Sequence, residues 1–321
     1  MKHIFLNLKR FDISPEKGGV NRLAPMKDWG RTIVSGTQDA LTAYDPAEVE
    51  FVMYMPEAHL LGAAAAKTEN SPVQLGCQGV YRADTAVGGN FGAFTTNRPA
   101  NAAAQMGCAS TLIGHCEERN DKMGILAEAG VTGQAAAQAV SRILNQEIKC
   151  AQAAGLTVLY CIGEKSEEQA DWENVLGAQL DIGLDGVDKR RVVIAYEPIW
   201  SIGPGKTPAD KPYITKIARF VKARTGGLDV VYGGGLKQDN AAMLASIDEI
   251  DGGLIALTRF ISLGSMTMLF CYMVLMCIAH WGQWAVCLFT VVLFAMCVWR
   301  HRSNIQRLLS GTENRIGQKA K

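Results

Sequence analysis

Several short stretches of the chain carry side chains able to move protons or hold charge, each at the end of an apolar run. Asn7 and Lys9 close the first run, Ile4–Leu8. His115 and Glu117 follow the fourth, Thr111–Gly114, and Glu197 follows the sixth, Val192–Tyr196. The segment Ser201-Ile202-Gly203-Pro204-Gly205-Lys206 comes next, and Tyr232-Gly233-Gly234-Gly235 ends the seventh run. A lysine, a histidine and two carboxylates are groups for general acid–base work and charge stabilisation. Each alone has an ordinary reading: a solvated lysine, a histidine opening a helix, a glycine-rich strand-to-helix turn. Together they carry more weight, because a parallel barrel gathers the C-terminal ends of its strands on one rim.

The elements that must position them are legible in the apolar pattern. Eight runs recur: Ile4–Leu8, Phe51–Met55, Val73–Cys77, Thr111–Gly114, Thr157–Ile162, Val192–Tyr196, Asp229–Tyr232 and Gly253–Leu257. They are mostly continuous rather than alternating, as strands buried on both faces of a parallel sheet are. Helical patterns fill most gaps, at Met26–Leu41, Ala58–Lys67, Ala100–Met106, Gln134–Ala154, Glu167–Leu180, Pro208–Arg224 and Asn240–Ala245. Eight β-α units in about 260 residues predict an α/β fold closed as a (β/α)8 barrel, with an open doubly wound sheet as the alternative.

Composition bounds the function. Of 321 residues, 48% are hydrophobic and 20% charged, which supports a large core and disfavours disorder. Lys plus Arg number 32 against 31 acidic residues, a net +1 that gives no support to nucleic-acid binding. The nine cysteines form no CxxC pair, and the N-terminus shows no secretory signal, so a reducing cytoplasm is expected.

Beyond residue 260 the chain changes character. No Asp, Glu, Lys or Arg occurs from Phe260 to Trp299. As a single helix that stretch measures about 60 Å, twice a bilayer core of roughly 30 Å. The polar break His280-Trp281-Gly282-Gln283 divides it, predicting a transmembrane hairpin with spans at about 260–279 and 284–299. Arg300, Arg302, Arg307, Arg315, Lys319 and Lys321 follow, against Glu313 alone. This basic tail favours the cytoplasmic side. The expected organisation is a barrel over 1–259, a hairpin over 260–299 and a basic cytoplasmic tail over 300–321.

Asn7-x-Lys9, Gly114-His115-x-Glu117, Cys161-Ile162-Gly163-Glu164, Tyr196-Glu197-Pro198-Ile199-Trp200-x-Ile202-Gly203-x-Gly205-Lys206 and Tyr232-Gly233-Gly234 together resemble the triosephosphate isomerase family, in order and near-family spacing. The resemblance covers residues 1 to about 260. It implies a TIM barrel, a homodimer, and interconversion of dihydroxyacetone phosphate and glyceraldehyde 3-phosphate through an enediolate, with no metal or cofactor. It implies a Glu base and a neutral His electrophile at a helix N-terminus, with a loop whose closure excludes water, as in this family. Carried onto this sequence, Glu197 is the base, His115 and Lys9 are the electrophiles, and Asn7 and Glu117 belong to the same set. Pro198 to Lys206 is the lid. Gly203, Gly234, Gly235, Ala256 and Leu257 stand at the phosphate positions. Gly92-Ala93-Phe94-Thr95 is the loop that enters a partner subunit.

The chain departs from the family pattern in several places. Gly235 stands where Ser is usual, and Ala256-Leu257 where a Gly-Gly pair is usual; side chains there restrict the backbone near the phosphate. Cys116 and Glu118 stand where Ser and Arg are usual, and the Arg loss is expected to remove an ion pair. The loop Tyr81–Asn90 is longer than expected. The barrel's last helix is replaced by the apolar stretch. From Thr258-Arg259-Phe260-Ile261-Ser262-Leu263-Gly264-Ser265 to His301-Arg302-Ser303-Asn304-Ile305-x-Arg307-Leu308-Leu309-x-Gly311-Thr312-Glu313, the chain resembles the C-terminal end of the acyl-phosphate-dependent glycerol-3-phosphate acyltransferase. That family comprises integral membrane enzymes of phospholipid synthesis, and its earlier motifs are absent here. The implied picture is a cytoplasmic barrel anchored to the inner face of the cell membrane. Two alternatives stand beside it: a catalytically weak barrel that binds a phosphorylated metabolite, and a non-functional chimera.

Overall fold

The computed structural model describes residues 1–202, 206–236 and 238–256, and beyond these only residues 284, 288, 291 and 294. Eight strands, β1 (Lys2–Asn7), β2 (Val49–Met55), β3 (Val73–Cys77), β4 (Cys108–Ile113), β5 (Thr157–Ile162), β6 (Val192–Tyr196), β7 (Val230–Tyr232) and β8 (Gly252–Ala256), pair in parallel and in sequence order. β1 pairs with both β2 and β8, with Phe5 opposite Val52 on one side and Leu254 on the other. The barrel is therefore closed, and the open-sheet alternative falls. Closure leaves no strand edge and buries each strand on two faces, which is why the runs are continuously apolar. Phe5, Val52, Tyr54, Leu112, Leu159, Cys161, Ala195, Val231 and Leu254 fill the interior as one buried cluster.

The helices are α1 (Trp29–Leu41), α2 (Glu57–Ala66), α3 (Ala100–Gln105), α4 (Cys116–Glu128), α5 (Gly133–Ala153), α6 (Trp172–Gly183), α7 (Lys211–Thr225) and α8 (Gln238–Ala245). In α5, Ala136, Val140, Leu144, Ile148 and Ala151 are buried, a stripe at helical spacing. α7 begins at Asp210, whose carboxylate accepts the Tyr213 N–H at 2.9 Å, with Pro212 in the first turn. It ends at Gly226, whose φ of 83° is the left-handed conformation of a helix C-cap.

Three helices begin later than the pattern predicts, α7 among them, which starts at Lys211 rather than Pro208. Met26–Asp28 and Ser166–Asp171 form 3-10 turns, and the α-helices start at Trp29 and Trp172. α4 is absent from the apolar reading because it has no stripe: Arg119 is its one buried residue. The long loop after β3 is closed at its base by the Tyr81 N–H to the Arg98 carbonyl (2.8 Å) and by Asp84 accepting the Asn101 N–H (3.0 Å).

By compactness the chain forms two units: residues 1–9, 23–236 and 244–256, which hold the barrel, and residues 10–22, 237–243 and 257–321. In the second, Arg10 pairs with Asp12 at 2.8 Å and the Asn21 amide donates to the Asp12 carbonyl at 2.9 Å. Trp284, Leu288, Val291 and Phe294 are helical, and the first three are exposed. The remainder of the expected hairpin and the basic tail lie outside the described residues. Among the described residues, no helix is long and apolar enough to cross a membrane.

Candidate active site

The site is built at the C-terminal ends of β1, β3, β4 and β6. Directly after β4 the chain turns left-handed at Gly114 (φ 82°), where a Cβ would meet the Cys161 carbonyl oxygen at 2.8 Å. Glycine is thus required by conformation and by space. Two side chains from the first turn of α4 clamp this residue. Glu118 accepts its N–H at 2.6 Å, and Arg119 Nε donates to its carbonyl at 2.9 Å. The Arg119 guanidinium also donates to the Cys161 carbonyl (2.8 Å) and the Tyr160 hydroxyl (3.0 Å), tying α4 to the end of β5.

His115 is the N-cap of α4. Its Nδ1 accepts the Glu117 main-chain N–H at 3.3 Å. An imidazole that accepts at Nδ1 is neutral and carries its proton on Nε2. That Nε2 lies 3.5 Å from Oε1 of Glu197, and Oε2 of Glu197 accepts the Cys116 main-chain N–H at 3.3 Å. Glu197 is buried, 3% exposed, and burial pushes its carboxyl above the usual range, partly offset by the charges and N–H around it. Burial and the Glu197 charge push the Cys116 thiol up to about 11.

On the first strand, Asn7 Oδ1 accepts the Lys9 N–H at 3.0 Å and the Gln78 amide at 3.1 Å. Lys9 has φ of 43°, a left-handed conformation that a lysine adopts at a cost of order 1–3 kcal/mol and holds only when its surroundings fix it. Gln78 supplies that fixing, donating also toward the Tyr54 carbonyl (3.2 Å) and the Lys9 carbonyl (3.4 Å). The Lys9 charge reaches both Glu197 and Cys116.

Asn7, Lys9, His115 and Glu197 therefore come together as expected. Glu117 contributes its main-chain N–H to His115, and its side chain is exposed. Gly234 is buried, and a Cβ there would meet Pro198 Cγ and the Tyr232 hydroxyl, both at 2.5 Å. Gly235 takes φ of 62°. Ala256, within the eighth apolar run as expected, is the last residue of β8 and lies in register with Asn7. Gly203 and Leu257 lie outside the described residues. The ion pair expected to be lost with the Arg at 118 is replaced by another: Glu118 meets Lys122 at 2.7 Å, and Lys122 meets Glu147 at 3.1 Å.

Sequence reasoning gave no role to Gln78, Arg119 or Glu164. Gln78 directly follows β3, so the strand-end rule applied to the third run would have found it. Glu164, fully buried after β5, accepts through Oε1 from Trp200 Nε1 (2.7 Å), the Tyr196 hydroxyl (2.9 Å) and the Tyr213 hydroxyl (3.0 Å). Its carbonyl accepts the Ile199 N–H at 3.1 Å. The segment leaving Glu197 is thus held by one residue, Glu164, through its carboxylate to Trp200 and its carbonyl to Ile199.

The family model for triosephosphate isomerase matches residues 30–260. The chain belongs to the triosephosphate isomerase family. Among curated relatives, the triosephosphate isomerase of Parasynechococcus marenigrum is 33% identical over 214 residues, covering 65% of this chain and 79% of that protein. That of Rhodopirellula baltica is 32% identical over 240 residues, covering 70% and 85%. The crystal structure of the Bartonella henselae triosephosphate isomerase superposes with a TM-score of 0.57 at 23% identity, covering 79% of this chain and 92% of that one, a likeness of fold. A second family model, for glycerol-3-phosphate acyltransferase, matches residues 243–311, so this triosephosphate isomerase family member is joined to an acyltransferase-like segment.

Proposed function

We propose that the barrel interconverts dihydroxyacetone phosphate and glyceraldehyde 3-phosphate, with Glu197 as the base. The observation that carries this reading is the buried Glu197 carboxylate facing the neutral Nε2–H of His115 at 3.5 Å. The Glu197 carboxylate takes the proton from C1 of the ketone. The C–H electron pair becomes the C1–C2 double bond of an enediolate, and the carbonyl pair moves onto oxygen. His115 Nε2–H and the Lys9 ammonium donate to that developing oxyanion. A proton passes from the C1 hydroxyl to the C2 oxyanion, and as the C1 oxygen's electron pair forms the carbonyl Glu197 returns its proton to C2, giving the aldehyde. Asn7 holds Lys9 in place. Main-chain N–H groups at Gly203, Gly234 and Gly235 bind the phosphate, with Ala256-Leu257 standing in the sequence where a glycine pair is usual. The chemistry draws on no metal or cofactor.

The test is solvent hydrogen exchange into a bound phosphotriose. Glu197→Gln preserves size and removes the base, and the rate should fall by about 10²–10⁴-fold or more. Exchange unchanged in that variant removes Glu197 from the mechanism and favours a barrel that only binds a phosphorylated metabolite.

We propose two associations for the same chain. The loop around Gly92–Thr95 enters a second copy, a reading supported by Val87 and Phe91, which stand fully or nearly fully exposed beside it. Residues 260–299 attach the barrel to a membrane from its cytoplasmic side, supported by forty residues without a formal charge and by the acyltransferase match. Membrane fractionation of the full chain against one ending at Arg259 tests the second. Equal partitioning of the two into the soluble fraction overturns it.

A further inference from the structure

We infer that His115, Cys116 and Glu197 form a binding site for a borderline-soft divalent cation, zinc above all, and that the bound cation excludes the substrate; the exclusion rests on the isomerase reading. Each residue offers one donor atom, and the three donors all lie within 4.8 Å of one another. His115 Nε2 is 3.5 Å from Glu197 Oε1, and Cys116 Sγ is 3.9 Å from either ring nitrogen of His115. Zinc bonds of about 2.0–2.2 Å to nitrogen and oxygen and about 2.3 Å to sulfur give tetrahedral edges of roughly 3.3–3.7 Å. The nitrogen–oxygen edge is therefore already set, while the sulfur must close by a few tenths of an ångström on the nitrogen and by up to about 1 Å on the oxygen.

The donor set decides the cation. One nitrogen, one sulfur and one oxygen suit zinc or cobalt, whereas magnesium and calcium take oxygen. Three protein ligands leave a fourth position open to water. The residue that makes the difference is Cys116, which stands where the family's usual residue is Ser: a hydroxyl is a poor zinc ligand and a thiolate a strong one.

Binding has a stated cost. Coordination through Nε2 moves the ring proton to Nδ1 and gives up the 3.3 Å bond from the Glu117 N–H. The Cys116 thiol releases its proton to solvent as the zinc–sulfur bond forms. The metal-bound state thus removes the Nε2–H donor and occupies the Glu197 carboxylate, so one site cannot hold cation and enediolate together.

Cobalt(II) is the spectroscopic probe. Titration of the full chain should give, at one equivalent, a thiolate-to-cobalt charge-transfer band and the visible absorption of a tetrahedral site, both bleached by zinc. Cys116→Ser should lose the charge-transfer band and weaken zinc by at least about 10–100-fold, the loss that even an outer-shell change produces. Cys150→Ser, the other partly exposed cysteine of the barrel, should keep it. X-ray absorption of the zinc-loaded native chain needs no variant and should show one sulfur at about 2.3 Å with nitrogen and oxygen at about 2.0–2.1 Å. No band, a band that persists in Cys116→Ser, or a shell with no sulfur or more than one overturns the site. A phosphorylated carboxylate that mimics the enediolate should displace the cobalt. If it does not, the exclusion and the isomerase reading fall while the metal site stands; if hydrogen exchange depends on Glu197 but cobalt does not bind, the metal inference falls alone.

Discussion

Glu197 Oε2 is held by the main-chain N–H of Cys116 at 3.3 Å, so the carboxylate at the end of β6 rests against the first turn of α4. A buried carboxylate fixed this way has a pKa set first by desolvation, with the Lys9 charge among the groups pulling it back down. As the proposed base, Glu197 acts only when ionised. Activity as kcat/KM should therefore fail on the acid side at a pH above the ordinary carboxylate range, as pH drops through the raised value. In Lys9→Met that limb should move further up, since one stabilising charge is gone. A pH profile measured in both proteins checks this. A limb that stays put in Lys9→Met would show that Lys9 does not act on the base.

Trp200 and Glu164 control the segment that follows the base. A hydrogen bond to a charged acceptor is worth about 1.5–3 kcal/mol, and Trp200 Nε1 donates one at 2.7 Å. Trp200→Phe keeps the ring and removes the donor. If Pro198 to Lys206 acts as a lid, kcat/KM should drop by about 10–100-fold, beyond the few degrees of melting temperature that the lost bond costs. Steady-state kinetics beside thermal melts decide it, and a loss of stability without a loss of rate would make Glu164 a structural anchor only.

The barrel was readable because closure buries both faces of every strand, so each strand shows as an apolar run. The candidate set was readable because strand ends share a rim, which places Lys9, His115 and Glu197 together from spacing alone. α4 was not, since it has no apolar face and is set by the His115 cap and the side chains of Glu118 and Arg119. Those contacts depend on left-handed backbone at Gly114, which no periodicity reports. Lys9's own left-handed φ was equally hidden, because it is imposed by Asn7 and Gln78 from two different strands.

Glu147 offers a test of the network that replaced the missing arginine. Burial, then the charge of Glu118, pushes its carboxyl up to about 9, while Glu118 is held below its ordinary value. The sign follows from proton uptake. Between an unfolded carboxylate near 4.3 and a folded value near 9, the folded chain keeps a proton that the unfolded chain has released. Stability therefore falls as pH rises through that window. Gln cannot lose a proton and imitates the protonated acid. Glu147→Gln should match the native chain near pH 4 and exceed it by a growing margin toward pH 9, each 1 kcal/mol appearing as about 2–4 °C. Melting curves at several pH values supply the comparison. A constant difference would mean that Glu147 is ionised throughout.

The opposite end of β1 carries the reverse dependence. His3, buried, places Nδ1 2.6 Å from Glu50 and Nε2 2.8 Å from Asp229, joining β1 to β2 and to the start of β7. Burial acts to lower its pKa, yet the two carboxylate hydrogen bonds and charges outweigh it, and the net shift is upward. A raised histidine contributes stability that is fully present below its unfolded value of about 6.5 and is lost as pH rises through the folded value. Only the doubly protonated ring donates to both carboxylates. His3→Gln has no such titration. The stability difference between native and His3→Gln should be largest near pH 6 and shrink on the alkaline side. Glu147 titrates in both proteins and cancels in that difference, because distant sites add. Asp229→Asn should lower the folded value and move the decline to lower pH. Hydrogen exchange into the phosphotriose should be unaffected in both variants, since Asn7 and Lys9 lie at the other end of β1. A native-minus-variant difference that stays flat from pH 5.5 to 9 would show that His3 does not carry its proton between the two carboxylates.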